Sequence, residues 1–362
     1  MRVVAKIGTA SITDDRGVID DGAVAKLSDE VAALRLQGHA VIVVSSGAVA
    51  AGVAALGLAA RPIDMQTLQA ISAAGQSRLV EAYNRELARH GLVGAQVLLD
   101  PHDFVDRTQY LHARSTIERL LELGCVPVVN ENDAIANDEL RYGDNDRLAA
   151  LLANSVGADV LVLLTDMDGV YTADPRRDPS ATLIPLVRVG DPLLAVRAEA
   201  GGSGRGSGGM ASKLTAARMA SWSGLRSVIA RASRPDVLAG AVSAELVGTT
   251  FEAHQRTLSA RKLWIAFASE VAGTVEVDAG AERALTERPN SLLPAGVVSV
   301  RGVFAEGDTV DIAGPDGRAF ARGLAAVDAD TARRVVGLRT GDLPAGVNHE
   351  VVHRDDLVVL PT

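Results

Sequence analysis

Lys6 sits in the apolar run Val3 to Ile7, where a lysine is excluded from burial unless its charge meets an anion. The alternative is a strand-end lysine whose head snorkels into water. Lys213 follows a glycine-rich stretch, residues 201–209, and the short run Met210-Ala211-Ser212, at the start of a helical pattern. Free backbone N–H groups and the positive dipole end of a helix attract phosphate at such a place. The glycine-rich stretch reads as a flexible linker or as a phosphate cradle, and Lys213 favours the cradle. It is not a P-loop, because no Gly-Lys-Ser/Thr is present, and the first strand is not followed by GxGxxG. Only four of the 36 basic residues are lysines (Lys6, Lys26, Lys213, Lys262). In a chain so biased to arginine, each lysine is informative.

Other polar residues follow apolar runs directly. Lys6-Ile7-Gly8-Thr9 ends the first, Ser45-Ser46-Gly47-Ala48 the second, Asn130-Glu131-Asn132-Asp133 a middle one and Thr165-Asp166-Met167-Asp168-Gly169 a later one, while Gly143-Asp144-Asn145-Asp146 precedes a helical stretch. Open parallel sheets bind ligands beyond the carboxyl ends of their strands. Each group also has a plainer use: a helix N-cap at Ser45 to Gly47, first-turn charges at Asp144 and Asp146, a turn at Asp166 to Gly169. Cys125 and the seven histidines show no metal-ligand spacing, and Cys125 reads as core packing.

The elements that must position these groups are legible from periodicity. Strand runs fall at Val3 to Ile7, Ala40 to Val44, Val93 to Leu99, Val126 to Val129, Val160 to Leu164 and Ser227 to Ala230. Between them lie a helix carrying Val24, Leu27, Val31 and Leu34 and closed by Gly38, then helical stretches at 65–89, 108–123, 145–156 and 212–223. Alternation of this kind predicts α/β architecture, a three-layer αβα sandwich around a mainly parallel sheet. After about Arg261 the helical period fades. Thr274 to Val277, Val297 to Val300, Thr309 to Ile312 and Val358 to Leu360 read as strands, with turns at Gly307-Asp308 and Pro315-Asp316-Gly317. The expected organisation is an α/β domain at 1–255, a linker at 256–268 and a small, mostly β domain at 269–362.

Length and composition bound the function. The 362 residues suggest two domains, and 48% hydrophobic with 22% charged residues describes a folded, water-soluble chain. A net charge of -9 has the wrong sign for a protein whose main task is gripping nucleic acid or an anionic membrane. One cysteine excludes an intramolecular disulfide framework, and no apolar stretch approaches the ~20 residues of a membrane span. A cytoplasmic protein is expected, with neither secretion nor membrane insertion.

These residues together resemble the amino acid kinase superfamily over essentially the full length, and within it the branch that phosphorylates free glutamate. The resemblance rests on Lys6-Ile7-Gly8-Thr9, Val43 to Gly52, Asn130 to Ala134, Gly143 to Asp146, Leu163 to Asp166, Tyr171 to Pro175 and Gly208-Gly209-Met210-x-x-Lys213. The tail, with Gly273-Thr274-Val275 and Ser291-Leu292-Leu293-Pro294, resembles a PUA domain. The resemblance implies ATP-dependent phosphorylation of the side-chain carboxylate of L-glutamate, the first step toward proline. It assigns Lys6 and Lys213 to the moving phosphoryl group, with Asp146 orienting both. Ser46, Gly47, Asp133 and Asn145 would hold glutamate, Asp133 meeting its α-ammonium. Lys6, Gly8, Thr165, Asp166 and the loop Ser207, Gly208, Gly209, Met210, Ala211, Ser212 and Lys213 would hold ATP. Magnesium would bridge the phosphates without direct protein ligands, proline would inhibit by feedback, and the chain would assemble with copies of itself. The sequence departs from the family at Ser207, where threonine is frequent, at Ala211, where a hydroxyl is common, and at Ala10, where serine is frequent.

Two rival readings share some of these features. A sister kinase acting on aspartate, N-acetylglutamate, carbamate or a nucleoside monophosphate would keep Lys6, the glycine turns and the ATP site; the segments 130–133 and 143–146 and the tail favour free glutamate. An RNA-binding role through the tail is disfavoured by charge. Residues 269–362 hold nine arginines, no lysine and fifteen acidic residues, so 9 - 15 gives -6.

Overall fold

Short valine-rich runs are buried on both faces when they sit inside a parallel sheet covered by helices, and this is where they lie. The computed structural model describes residues 1–104, 106–135, 145–191, 209–255, 257–269, 271–344 and 346–360, and the chain divides into two units, Met1–Ala260 and Arg261–Thr362. In the first unit, β1 (Arg2–Ile7), β2 (Ala40–Val44), β3 (Gly94–Leu99), β4 (Val126–Glu131), β5 (Val160–Thr165), β6 (Leu186–Val187), β7 (Arg226–Arg231) and β8 (Thr249–Phe251) form one sheet in the order β3-β4-β2-β1-β5-β7-β8-β6. The described pairs are parallel except β7 with β8.

The helices of this unit are α1 (Asp21–Leu36), α2 (Ala48–Ala55), α3 (Met65–Ala88), α4 (Arg107–Glu122), α5 (Asn145–Ser155), α6 (Met210–Trp222) and α7 (Val237–Val242). Val3, Ala5, Val41, Val43 and Val162 pack with α1, α3 and α7 in one buried cluster. The alternate residues Val4, Ile42, Leu161 and Leu163 are equally buried, and α4, α5 and α6 run against the strands on their side. The result is the three-layer αβα sandwich. Asp20, Asp64 and Asp106 cap α1, α3 and α4 by accepting a backbone N–H three residues on. Gly38, at φ 82°, lets the chain turn after α1.

Lys26 has a structural use. Its ammonium donates to the carbonyls of Ala232 and Arg234 beyond β7 at 2.5 and 2.6 Å and pairs with Glu30 at 2.8 Å. Glu30 in turn accepts the N–H of Leu238 at 2.9 Å. One helical turn of α1 thereby ties down the connection into α7.

Residues 260–268, within the stretch read as a linker, are helical: α8 (Ala260–Leu263) runs into a π turn, Trp264–Ala268. The second unit is built on β9 (Val271–Val277), β10 (Val297–Gly302), β11 (Thr309–Ala313), β12 (Ala319–Ala325) and β13 (Val352–Val359), ordered β10-β9-β11-β12-β13, with α9 (Ala279–Glu287) and α10 (Ala329–Arg334). Its core gathers Val275, Val310, Ile312, Ala321 and Val352. Strand β12 was not anticipated, because its alanines and glycine carry little apolar signal. Among the described residues, no helix is long and apolar enough to cross a membrane.

Candidate active site

Lys6 is in register with Val44 of β2 and Leu163 of β5, and Val44 is in register with Val129 of β4. The chain therefore leaves these four central strands at one level, and the residues that follow share one edge of the sheet. A cavity of about 1190 Å³ lies along that edge, with Lys6, Gly8, Ser46, Asp133 and Thr165 in its wall.

At its floor, Asp146 on the first turn of α5 is buried between two lysines: Lys6 Nζ lies 2.6 Å from Oδ1 and Lys213 Nζ 3.2 Å from Oδ2. Burial pushes the Asp146 carboxyl up, but the charges of Lys6 and Lys213 outweigh it and hold it below the usual carboxylate range. Both lysines line the cavity, whereas Asp146 lies behind them. Lys6 is 3% exposed, so its head does not snorkel. Two cations on one carboxylate leave a net positive charge facing the cavity, suited to a phosphoryl anion.

Beyond β2 and β4, one end of the cavity is lined by Ser46, Gly47, Asp133 and Asn145. Gly47 takes φ 101° and is the N-cap of α2 without a side-chain capping bond, so the N-cap falls within Ser45 to Gly47 and neither serine side chain supplies it. Ser46 and Gly47 line the cavity, while the Ser45 hydroxyl is 3.0 Å from the Tyr83 hydroxyl of α3. Asp133 accepts a hydrogen bond from Ser72 Oγ at 3.2 Å. Burial raises the Asp133 carboxyl to about 6, against the pull of the Ser72 hydroxyl and the Arg61 guanidinium. Asn145 also lines the cavity, and its Oδ1 accepts the N–H of Glu131 at 3.1 Å.

At the other end, Thr165 Oγ1 donates to Asp166 at 3.0 Å. Gly209 caps α6 with extended backbone, and Met210 and Lys213 follow it into the cavity wall. Asp168, which the sequence offered only as a turn residue, holds the Arg231 guanidinium at 2.6 and 3.1 Å and accepts from Tyr171 at 3.1 Å, tying the loop after β5 to the end of β7.

The expected site residues thus converge, with qualifications. Ala211 and Ser212 are on α6 but not in the cavity wall. Ser207, Gly208, Gly143 and Asp144 lie outside the described residues. Among the described residues, no group of three or more His, Cys, Asp or Glu side chains is placed to hold a metal ion. Sequence reading missed Ser72, Gln76 and Arg61. The first two are separated from their partners Asp133 and Asn130 by 61 and 54 residues, a distance at which spacing carries no information. Their only local signal is the small and polar run Ser72-Ala73-Ala74-Gly75-Gln76 inside an otherwise ordinary helix.

Residues 1–231 match the model of the amino acid kinase family, and residues 273–346 match the PUA domain. The chain is 42% identical to the glutamate 5-kinase of Burkholderia multivorans, over 99% of this chain and 98% of the relative. It is 45% identical to that of an Azoarcus species (99% and 97%) and 47% identical to that of Myxococcus xanthus (99% and 96%). Among solved structures, isopentenyl phosphate kinase of T. acidophilum in its product complex superposes with a TM-score of 0.50 at 19% identity, covering 70% of this chain and 100% of that one. At that identity the likeness concerns the fold alone.

Proposed function

Because the chain belongs to the amino acid kinase family, we propose that it transfers the γ-phosphoryl group of ATP to the side-chain carboxylate of L-glutamate, giving L-glutamyl 5-phosphate, the first step of proline biosynthesis. The full-length likeness to three glutamate 5-kinases supports the substrate. The observation that carries the chemistry is the Lys6–Asp146–Lys213 cluster at the floor of the cavity.

The attacking carboxylate is ionised at neutral pH, so no general base is required. What must be overcome is the approach of one anion to another. A carboxylate oxygen of glutamate attacks the γ-phosphorus, the bond from that phosphorus to the β,γ-bridging oxygen breaks, and the electron pair leaves on ADP. Lys6 and Lys213 stabilise the charge that spreads over the transferring group, and Asp146 fixes both ammonium groups before substrate arrives. Ser46, Gly47 and Asn145 hold the glutamate, with Asp133 on its α-ammonium. Gly8, Thr165, Asp166 and, at the start of α6, Gly209, Met210 and Lys213 hold ATP.

Each oxygen of Asp146 is committed to a lysine, so the residues at the phosphoryl position fit a magnesium ion carried on the ATP phosphates rather than in a carboxylate cage. When bound, magnesium supplies charge neutralisation on those phosphates. Proline shares glutamate's α-carboxylate and cationic nitrogen and inhibits from the same pocket. Among the described residues, strand β3 is one of the two edge strands of the sheet and Leu98 on it is exposed, an edge suited to assembly with a second copy. The test of the reaction is ADP release over a panel of amino acids with Mg-ATP, hydroxylamine trapping the acyl phosphate. Turnover of L-glutamate but not aspartate or N-acetylglutamate is expected, since acetylation removes the cation that Asp133 meets. Equal turnover of N-acetylglutamate sinks the assignment.

A further inference from the structure

We propose that Ser72 and Gln76, one turn apart on α3, are positioning residues of the amino-acid pocket, Ser72 fixing Asp133 and Gln76 fixing Asn130, so that this wall is set before substrate binds. The inference rests on the glutamate reading of the pocket.

Neither side chain lines the cavity. Both are buried, at 3% and 7% exposure, and each touches a residue that reaches toward it. Ser72 Oγ donates to Asp133 Oδ2 at 3.2 Å. A hydroxyl in that position favours the ionised carboxylate and sets its rotamer, which matters because burial alone drives Asp133 toward the neutral form.

The Gln76 chain of contacts runs in one sense only. The backbone N–H of Glu131 can only donate, and it lies 2.9 Å from Asn130 Oδ1. That places Asn130 Nδ2 on the far side, where it donates to Gln76 Oε1 at 2.7 Å. The same Glu131 N–H is shared by Asn145 Oδ1 at 3.1 Å, so the chain starting at Gln76 ends on a residue of the cavity wall. Gln76 Nε2 is buried without a hydrogen-bond partner among the described residues. A buried donor left unmade is costly, yet the glutamine is present, consistent with its oxygen being the end that is used.

Helix α3 reaches this position because of two glycines. A Cβ on Gly75 would lie 1.9 Å from the Ala48 carbonyl oxygen, and one on Gly52 of α2 would lie 1.9 Å from that of Ile71. The backbones of α2 and α3 therefore touch. Since α2 begins directly after Ser46 and Gly47, one helix pair fixes the serine turn and, through Ser72 and Gln76, Asp133 and Asn130.

Steady-state kinetics of Ser72→Ala tests this. The expected result is a rise of about tenfold in KM for glutamate, the scale of losing a hydrogen bond to a charged group, with kcat and the KM for ATP within about twofold. Ser72→Thr, which keeps the hydroxyl, should recover most of the loss. In an Asp133→Asn background, Ser72→Ala should add less than about twofold, because its partner is already gone. Gln76→Met, which keeps length and removes the acceptor, should raise the glutamate KM several-fold and keeps the test available if Ser72→Ala fails to fold. An unchanged glutamate KM, a matching rise in the ATP KM, or full additivity with Asp133→Asn overturns the proposal. If the unaltered chain does not phosphorylate glutamate, the functional reading fails and takes this inference with it. If it does, and Ser72→Ala equals it in every parameter, this inference alone fails.

Discussion

Lys213 Nζ sits 3.2 Å from the Asp146 oxygen that Lys6 does not occupy. The carboxylate is thus a shared anchor for two cations that come from opposite ends of the unit, one from β1 and one from α6. Removing either lysine leaves Asp146 paired with the other, so folding should survive. Lys6→Ala and Lys213→Ala are each expected to lower kcat by about a hundredfold or more, the scale of one preorganised charge at a transition state. Asp146→Ala differs, since it leaves two buried ammonium groups without a counter-ion and should cost roughly 3 to 5 kcal/mol of stability. Kinetics and thermal melts on the three variants separate these outcomes, and unchanged kcat in both lysine variants would place the phosphate site elsewhere.

Asp133 predicts a pH dependence with a definite sign. Its carboxyl is raised to about 6 in the folded protein from 3.8, so the native state binds this proton more tightly than the unfolded chain does. Keeping it ionised at pH 8 costs the folded state up to about 3 kcal/mol, a cost that disappears as pH falls through 6 toward 4. Asp133→Asn should therefore raise Tm of the ligand-free protein at pH 8 and change it little at pH 4. A variant no more stable at pH 8 than at pH 4, relative to the parent, contradicts the burial argument.

The same carboxylate must be ionised to meet an α-ammonium. The KM for glutamate should rise as pH drops below about 6 while the KM for ATP stays nearly constant, measured at saturating co-substrate in each case.

Proline inhibition should be competitive with glutamate and not with ATP, because proline offers the same α-carboxylate and cationic nitrogen without a side chain to phosphorylate. Asp133→Asn should weaken glutamate and proline together. Inhibition that persists at glutamate far above KM, with Asp133→Asn still fully sensitive, would require a separate effector site.

The glycine contact between α2 and α3 gives a steric prediction. Gly75→Ala drives a methyl group into the Ala48 carbonyl at 1.9 Å, backbone against backbone with no flexible end to yield. It should lower Tm by several degrees or more, at about 1 to 3 kcal/mol for overpacking. Gly8→Ala meets Lys6 Nζ at 3.7 Å and the Leu164 carbonyl oxygen at 3.9 Å, both ordinary contacts, so it should fold normally.

What the sequence determined by itself was local or periodic. Apolar runs of strand length and helical spacing were enough to assign the α/β layers. The polar residues directly after the runs pointed at Lys6, Ser45 to Gly47 and Asn130 to Asp133, because a parallel sheet sends every strand's carboxyl end to the same edge. Lys213 stood out after its glycine-rich stretch, and the separate roles of Gly47, Asp133 and Asn145 came from the family resemblance. Helix α2 was not read as an element of its own, since eight small residues around Gly52 have no amphipathic period. The tertiary structure decided what register and packing alone can fix. It set Lys6 opposite Val44 and Leu163, which puts its ammonium on Asp146 across 140 residues of chain. It also brought Ser72 and Gln76 to Asp133 and Asn130 through a helix contact that two glycines permit. Such pairings depend on how closely two backbones approach, a property of both segments together that neither one's spacing contains.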